Sequence, residues 1–533
     1  MSTPKKVLND VGPSPKQKRQ LTSKGSTSAR DSRKQLSNTT VHKPVATDLP
    51  SRSRRNKVPS PQQKPQPTID LRESEEQGQD EGGVEKISAT GDLVLEMEHT
   101  LGHGSGPRQG SSVRDQSLSS RTRQSTGRPF NGGTNTPGDA SISTCLYRVR
   151  CDTLRDSSPY FRMLLDPAKF EEGRIVAEKH RELIDNVGQV QLASVADLPH
   201  LKITDVGRIS AVKSIDVLMT DFLRMLHGQD ISNLQPPLAN VANLCIVADR
   251  FDALDVVRRY FQSRKTLQLL DSKGPTGAAS RSLPEEKTRQ RLLVGLLLDD
   301  ASWAWSASLR LVQQGWVGRE VPDDAALWWD LPNGIEEELL YRRECVLDTI
   351  QSLQSYFLRL YTSSRERQCR LGYDSSTECD IFQLGQMIRF FDKIGTLSLA
   401  GTILPLSYSD EAPEQQQQPY HGDIIHLLDS MRQCPEYQID KNHSHCGLRT
   451  RLMPLLDLVE HSLTEIGICA SCWRDARPEY AWGHSKRPLI WRFGPDVMGR
   501  GGAGARRSLA HPVRHQEVRD MFTAQERLWV RQT

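Results

Sequence analysis

The sequence predicts an α+β protein. It should have a disordered N-terminus, a small sheet with helices broken by long insertions, a mostly α-helical region, and a Cys/His-rich C-terminal part. Three observations lead there. Apolar residues alternate with polar ones at Leu93, Leu95 and Met97, the period of a half-buried strand. Residues 215–227 instead place Val217, Leu218, Phe222, Met225 and Leu226 on one helical face. Residues 1–87 have no periodicity and are rich in Ser, Thr, Pro, Lys, Arg and Gln, so they cannot bury enough apolar surface to offset the entropy of ordering.

The N-terminal tail is basic up to Lys64 and acidic from Asp70 to Glu85. Its clusters KQKR (16–19) and RSRRNK (52–57) read either as a solvated basic tail or as import signals or nucleic-acid contacts. Order is expected to begin near Gly91. A unit over 88–265 then contains strands at 93–97 and 146–150, separated by a Gly-, Ser- and Arg-rich disordered insertion at 101–141. A helical stretch follows at 152–165, then a polar, irregular loop at 166–196, a strand at 198–203, and helices at 215–227, 238–249 and 253–262. Residues 266–284, with KGPTGAA at 273–279, read as a linker. Ser282 and Glu285 have capping-box spacing and should open a long helix. The helical region runs over 285–402. Its helix at 335–361 carries Leu339, Leu340, Val346, Leu347, Ile350, Leu353, Phe357 and Leu360 at helical spacing, and a further helix is expected at 381–394. A Gln/Pro loop (403–419) precedes the Cys/His-rich part (420–495). A Gly- and Arg-rich tail (496–533) closes the chain, with a short helix expected between 513 and 530.

Composition narrows the class. At 533 residues the chain has room for two or three domains, but 36% hydrophobic against 26% charged residues implies that part of it does not fold. A net charge of +4 does not by itself argue for nucleic acid. The N-terminus has no apolar run, so no secretory signal is expected. The longest greasy stretch, LLVGLLL at 292–298, falls far short of the roughly 20 residues that a membrane helix needs. A soluble protein of the nucleus or cytoplasm is expected. In that reducing setting its ten cysteines should be thiols or metal ligands. The chain has no G-x-x-x-x-G-K-[ST], G-x-S-x-G or H-E-x-x-H, and no convergent acid, base and nucleophile set. The expectation is a protein that is not an enzyme.

The stretch YRVRCDTLRDSSPYFRMLLDPAKFEEG, from Tyr147, resembles the BTB/POZ family, especially its fungal-type members. The matching positions are Leu154, Ser158, Pro159, Tyr160, Phe161, Met163 and Leu164. Downstream, FLRMLHG (222–228) and CIVADRFD (245–252) resemble two later helices of the family. The resemblance covers about 90–265. It implies a BTB/POZ fold, protein partners and self-association. Physical chemistry gives these residues structural roles: Ser157 or Ser158 suits a helix cap, Pro159 the first turn, and Phe161, Leu164 and Leu165 one apolar face. The chain also departs from the family pattern. About 45 residues separate the first two strands, no clear helix precedes Gly91, and 205–213 lacks the Glu of the cullin-binding motif. Dimerisation and cullin binding are therefore left open.

One constellation carries metal chemistry. Cys469-Ala-Ser-Cys472 is a knuckle that lets two thiolates meet one ion, and Cys434 and Cys446 would complete a tetrahedral structural zinc site, with His443 or His445 as substitutes. Buried thiols and surface histidines are the plain alternative. Trp473, Tyr480, Trp482, Trp491 and Phe493 are interleaved with Arg474, Arg477, Lys486, Arg487 and Arg492. They read as a small core with cationic stems on rings in preference to a stacking surface for nucleic acid. The whole points to a non-catalytic protein-interaction adaptor. The alternative is a chromatin- or transcription-associated factor that touches nucleic acid through its basic segments.

Overall fold

Strand formation follows the alternation read from the sequence. In the computed structural model, β2 (Leu93–Thr100) runs antiparallel to β3 (Ile142–Val149), with Leu93 opposite Val149, Met97 opposite Cys145 and Thr100 opposite Ile142. Two strands join in parallel: β1 (Val84–Lys86) beside β3 and β4 (His200–Ile203) beside β2. The order is β1-β3-β2-β4. The structure describes residues 83–100, 142–210, 215–272, 283–363, 365–369, 371, 374–397, 420–493 and 511–530. The readings made for 1–82, the insertion 101–141, the segment 273–279 and the Gln/Pro loop 403–419 lie outside these residues.

Leu93, Leu95 and Met97 are buried on one face of the sheet, as the alternation requires. Val94, on the opposite face, is equally buried. The cause lies in 166–196, which is not an irregular loop: α3 (Glu171–Val187) and the turn after it cover that face. Val94 packs there with Leu183, Val190, Ala193, Val195 and Leu198. The helix begins with Glu171 and Glu172, which suit its positive end, and stops at Gly188 in the left-handed region (φ +83°). Its inward face, Val176, His180 and Leu183, is too narrow to stand out in a polar sequence.

On the other face, α1 (Cys151–Ser157) and α2 (Pro159–Leu164) meet at Ser158. Its backbone N–H donates to Leu154 and closes the first helix. Its Oγ accepts from the Phe161 amide (3.1 Å), capping the second, and donates to the Phe251 carbonyl (2.6 Å). Phe161 thereby lies flat on Phe251 at 5.3 Å, and Phe222 also stacks on Phe251, at 5.6 Å. Phe222 and Phe251 belong to the bundle of α4 (Ile215–Leu226), α5 (Leu238–Arg250) and α6 (Leu254–Ser263). A further helix, α7 (Thr266–Ser272), occupies the start of the segment read as linker.

The core does not stop there. The expected long helix after residue 282 is a pair, α8 (Glu285–Leu297) and α9 (Ala301–Gln314), broken where Asp300 caps the second by accepting from the Trp303 amide. The first of the pair starts at Pro284 without a side-chain cap, and Glu285 is committed instead to Arg289 and Arg319. α8 lies against α5, and Arg258 of α6 donates to the carbonyls of Leu297 and Leu298 (both 3.2 Å). One apolar core runs from Ile87 to Trp529, and every described residue falls in one compact unit, 77–533.

The remaining helices gather around α10 (Ile335–Thr362), whose Leu339, Val346, Ile350, Leu353 and Phe357 are all buried. They are α11 (Ser376–Lys393), α12 (Ile424–Arg432), α13 (Leu448–Leu463), and the short α14 (Ala470–Asp475) and α15 (Arg477–Tyr480). The segment read as a tail folds back: α16 (His511–Thr523) packs on α10, and β6 (Glu526–Leu528) pairs in parallel with β5 (Ile490–Arg492). Trp482 stacks on Phe522 at 5.7 Å, and Trp529 is buried. No helix among the described residues is long and apolar enough to cross a membrane.

Phe161→Ala removes one of the two rings that stack on Phe251. It should cost about 3–5 kcal/mol in a denaturant melt, the range for a buried aromatic. Met163→Ala, on the same helix but half exposed, should stay within about 0.5 kcal/mol of wild type. Equal midpoints for the two variants would refute this placement of the core.

Candidate metal centre

Four soft donors from three separate segments converge beside the C-terminal end of α10. Cys379 stands in the first turns of α11. Cys369 precedes that helix in a segment held by Asp380, whose two carboxylate oxygens accept from the Gln368 and Cys369 amides (both 2.8 Å). His443 and Cys446 come from the turn before α13. There Asp440 accepts from the amides of Asn442 (2.7 Å) and His443 (3.2 Å), and His445 takes φ +68° to turn the chain back. Tyr361, at the end of α10, donates to the Cys446 carbonyl (3.2 Å), and Arg451 of α13 donates to the Gln368 carbonyl (2.8 Å).

The ligand atoms of Cys369, Cys379, His443 and Cys446 all lie within 4.8 Å of one another, and all four residues are buried. Cys369 Sγ is 3.7 Å from Cys446 Sγ and 3.3 Å from His443 Nδ1. A tetrahedral ion with bonds of about 2.3 Å to sulfur needs sulfur–sulfur edges of about 3.8 Å, so this spacing suits one. Ser375 Oγ lies 3.0 Å from His443 Nε2, which fixes the ring and leaves Nδ1 facing the sulfurs. The group can hold a metal ion.

Electrostatics favour a cation there. Burial, together with the neighbouring sulfurs of Cys446 and Cys369, pushes the Cys379 thiol up to about 12. Burial also raises Cys446. At Cys369 burial pushes upward too, but the neighbouring Ser376 hydroxyl, the Leu371 amide, Cys446 and His443 bring the thiol down to about 7. Three thiols in one buried pocket cannot all ionise without a positive charge among them.

This is not the set expected from the sequence. Cys434, Cys446, Cys469 and Cys472 do not meet. Cys446 belongs to the group just described, together with His443, while His445 is exposed. Cys434 is fully buried in the main apolar core, where burial pushes its thiol up to about 11, the state of an inert core cysteine. Cys469 and Cys472 meet a different partner, His515 of α16. Cys369 and Cys379 escaped notice because nine residues between two cysteines is not a knuckle spacing; only the fold of α11 brings them together. None of the ten cysteines is in a disulfide.

A third cluster, Asp92, Cys151 and His180, has a structural explanation. Asp92 Oδ1 accepts from the Cys151 amide (2.8 Å) at the start of α1, and its carbonyl lies 2.7 Å from His180 Nε2, which anchors α3 to the sheet. The aromatic–basic region is a core with cationic stems on rings. Trp473, Tyr480, Trp482 and Phe493 are buried, and Arg477 lies over Trp473 at 4.4 Å.

Compared with protein-family models, with curated proteins and with solved structures, the chain finds no match.

Cobalt(II) titration, read by thiolate-to-metal absorption, separates the two ligand sets. Cys379→Ser should remove one equivalent of tightly bound metal from the full chain, and Cys434→Ser none. The reverse pattern would restore the ligand set expected from the sequence.

Proposed function

We propose that this protein is a non-catalytic interaction adaptor, built on a BTB/POZ-like unit and braced by a structural zinc ion. The observation that carries the reading is the order of elements over 93–263. Two antiparallel strands are followed by two short helices meeting at Ser158-Pro159, the longer helix α3, a strand parallel to the first, and three helices. That order suits the BTB/POZ resemblance, whose members hold protein partners. The shared core adds to it. The helical region is packed onto the sheet-bearing unit, so partner surfaces on both would be displayed in a fixed relation.

Cys369, Cys379, His443 and Cys446 would hold the zinc. Four protein ligands leave no position for water or substrate, which makes the role structural. The need is local: among the described residues the small buried cluster at this site is made of Cys369, Cys379 and Cys446 themselves, so metal bonds would supply what aliphatic packing does not.

Two measurements test the proposal. Sedimentation of the full chain over a range of concentrations, with affinity capture and reconstitution from purified components, should give a concentration-dependent dimer or a saturable complex. A chain that stays monomeric and retains no purified protein would end the adaptor reading. For the zinc, the metal must displace protons from thiols whose metal-free values lie at about 7 for Cys369 and about 12 for Cys379. Affinity should therefore fall as pH falls, because protons compete with the ion. A chelator competition that gives the same affinity across that range would argue against thiolate ligands.

A further inference from the structure

A second set of soft donors stands apart from the first. Cys469 immediately precedes α14, Cys472 lies within that helix, and His515 comes from the first turns of α16. Their ligand atoms all lie within 4.8 Å of one another. The surroundings hold each arm in place. The Cys469 amide donates to Tyr480 Oη (2.7 Å), and that hydroxyl donates to the Gly467 carbonyl (3.2 Å), so one side chain ties down the backbone of the knuckle. The Tyr480 ring also meets the His515 ring edge to face at 5.2 Å, and Trp305 lies 5.7 Å from the same imidazole.

Three donors leave a tetrahedral ion one ligand short, and the structure offers somewhere for the fourth to come from. Cys472 and His515 both form part of the wall of an open cavity of about 960 Å³. Its lining also includes Lys486, Arg487 and Arg519, against Glu479 and Asp520. Two thiolates and a neutral imidazole balance the charge of a divalent ion, so an incoming anion would leave the complex negative by one. The cationic lining would offset that charge.

We propose that Cys469, Cys472 and His515 hold a second zinc ion, whose fourth position opens into this cavity and accepts an exchangeable small anion bearing a thiolate or carboxylate donor. The two centres then differ in kind. The first is closed by four buried protein ligands; the second keeps an accessible position. The knuckle is plain in the sequence, but His515 lies in the segment expected to be a tail and only the fold brings it to Cys469 and Cys472.

The test uses the full chain, purified without chelator. Elemental analysis should give two zinc ions per chain. His515→Ala and the double variant Cys469→Ser/Cys472→Ser should each reduce this to one, and Cys379→Ser should independently remove the other. A single zinc that is lost in Cys379→Ser but retained in His515→Ala overturns the second site and leaves the first standing. A Cys469–Cys472 disulfide in protein prepared under reducing, metal-replete conditions overturns it as well. The open position is read separately by loading the chain with cobalt(II) and adding mercaptoacetate. The visible ligand-field bands should shift in wild type and stay fixed in His515→Ala. Lys486→Ala should weaken the response to mercaptoacetate severalfold while leaving two cobalt ions bound. A fully loaded wild-type spectrum that mercaptoacetate cannot change would show that the fourth position is closed.

Discussion

Glu338 and Arg342, one turn apart on α10, form an ion pair at 2.7 Å from which water is almost wholly excluded. Such a pair is tolerable only when the remaining hydrogen-bonding capacity of both partners is met. Here most of it is met by chain far away in sequence, although Arg342 Nη2 is buried without a hydrogen-bond partner among the described residues. The Arg342 guanidinium donates to the carbonyls of Ile466 (2.8 Å) and Gly467 (2.9 Å). The Glu338 carboxylate accepts from the amides of Trp482 (2.9 Å) and Gly483 (3.3 Å). The face of the guanidinium rests on Tyr480 and Trp482, at about 5 Å from each ring. One helical turn thus pins both ends of 466–483, the segment that carries the Cys469–Cys472 knuckle and its Tyr480 support. Removing either partner would leave a charge in the core with nothing to answer it.

The same device recurs along the helical region. Arg343, the next residue on α10, donates to the carbonyls of Val312 (2.7 Å), Tyr420 (2.7 Å) and Gly422 (2.6 Å). It fastens the end of α9 to the chain leading into α12. The approach is close enough that a Cβ on Gly315, which ends α9 at φ +77°, would stand 2.6 Å from the His421 carbonyl. Arg289 on α8 is likewise buried, reaching Glu336 at the start of α10 and the Trp316 carbonyl. Planar guanidinium forks suit this work because each can meet several acceptors at once while keeping its charge. The apolar core supplies the bulk of the packing, and the buried arginines fix which helix meets which.

Legibility in the sequence followed the strength of local signals. The strand at 93–97, the helix near 215–226 and the long helix at 335–362 were readable because each carries its own periodicity, and the strand ending at Val149 and the helices near 238–250 and 254–263 were placed with the help of the family resemblance. α3 was not, since its buried face is narrow and its composition polar. Neither were β1, α12 and the folding-back of 511–530, which depend on surfaces supplied by distant chain. The clustered Cys and His side chains divide the same way. Cys469 and Cys472 announce themselves by spacing. Cys369, Cys379 and His515 reach their clusters only through tertiary contacts, and no local pattern marks them. Cys434 looks like a ligand from its position near the histidines, yet the core claims it.

The register of the first hairpin has a bearing on engineering. Thr100 sits directly opposite Ile142, so the two chain ends at the mouth of the hairpin are already side by side. Whatever joins them needs only to close a short gap, and doubling its length costs only about 0.6 kcal/mol in closure entropy. Evolution has placed a long connection there. The mouth of this hairpin is therefore a natural port, where a fluorescent or affinity domain with adjacent termini can be spliced into the middle of the chain. Such a probe would leave both termini untouched, including the C-terminal strand β6 that completes the second small sheet.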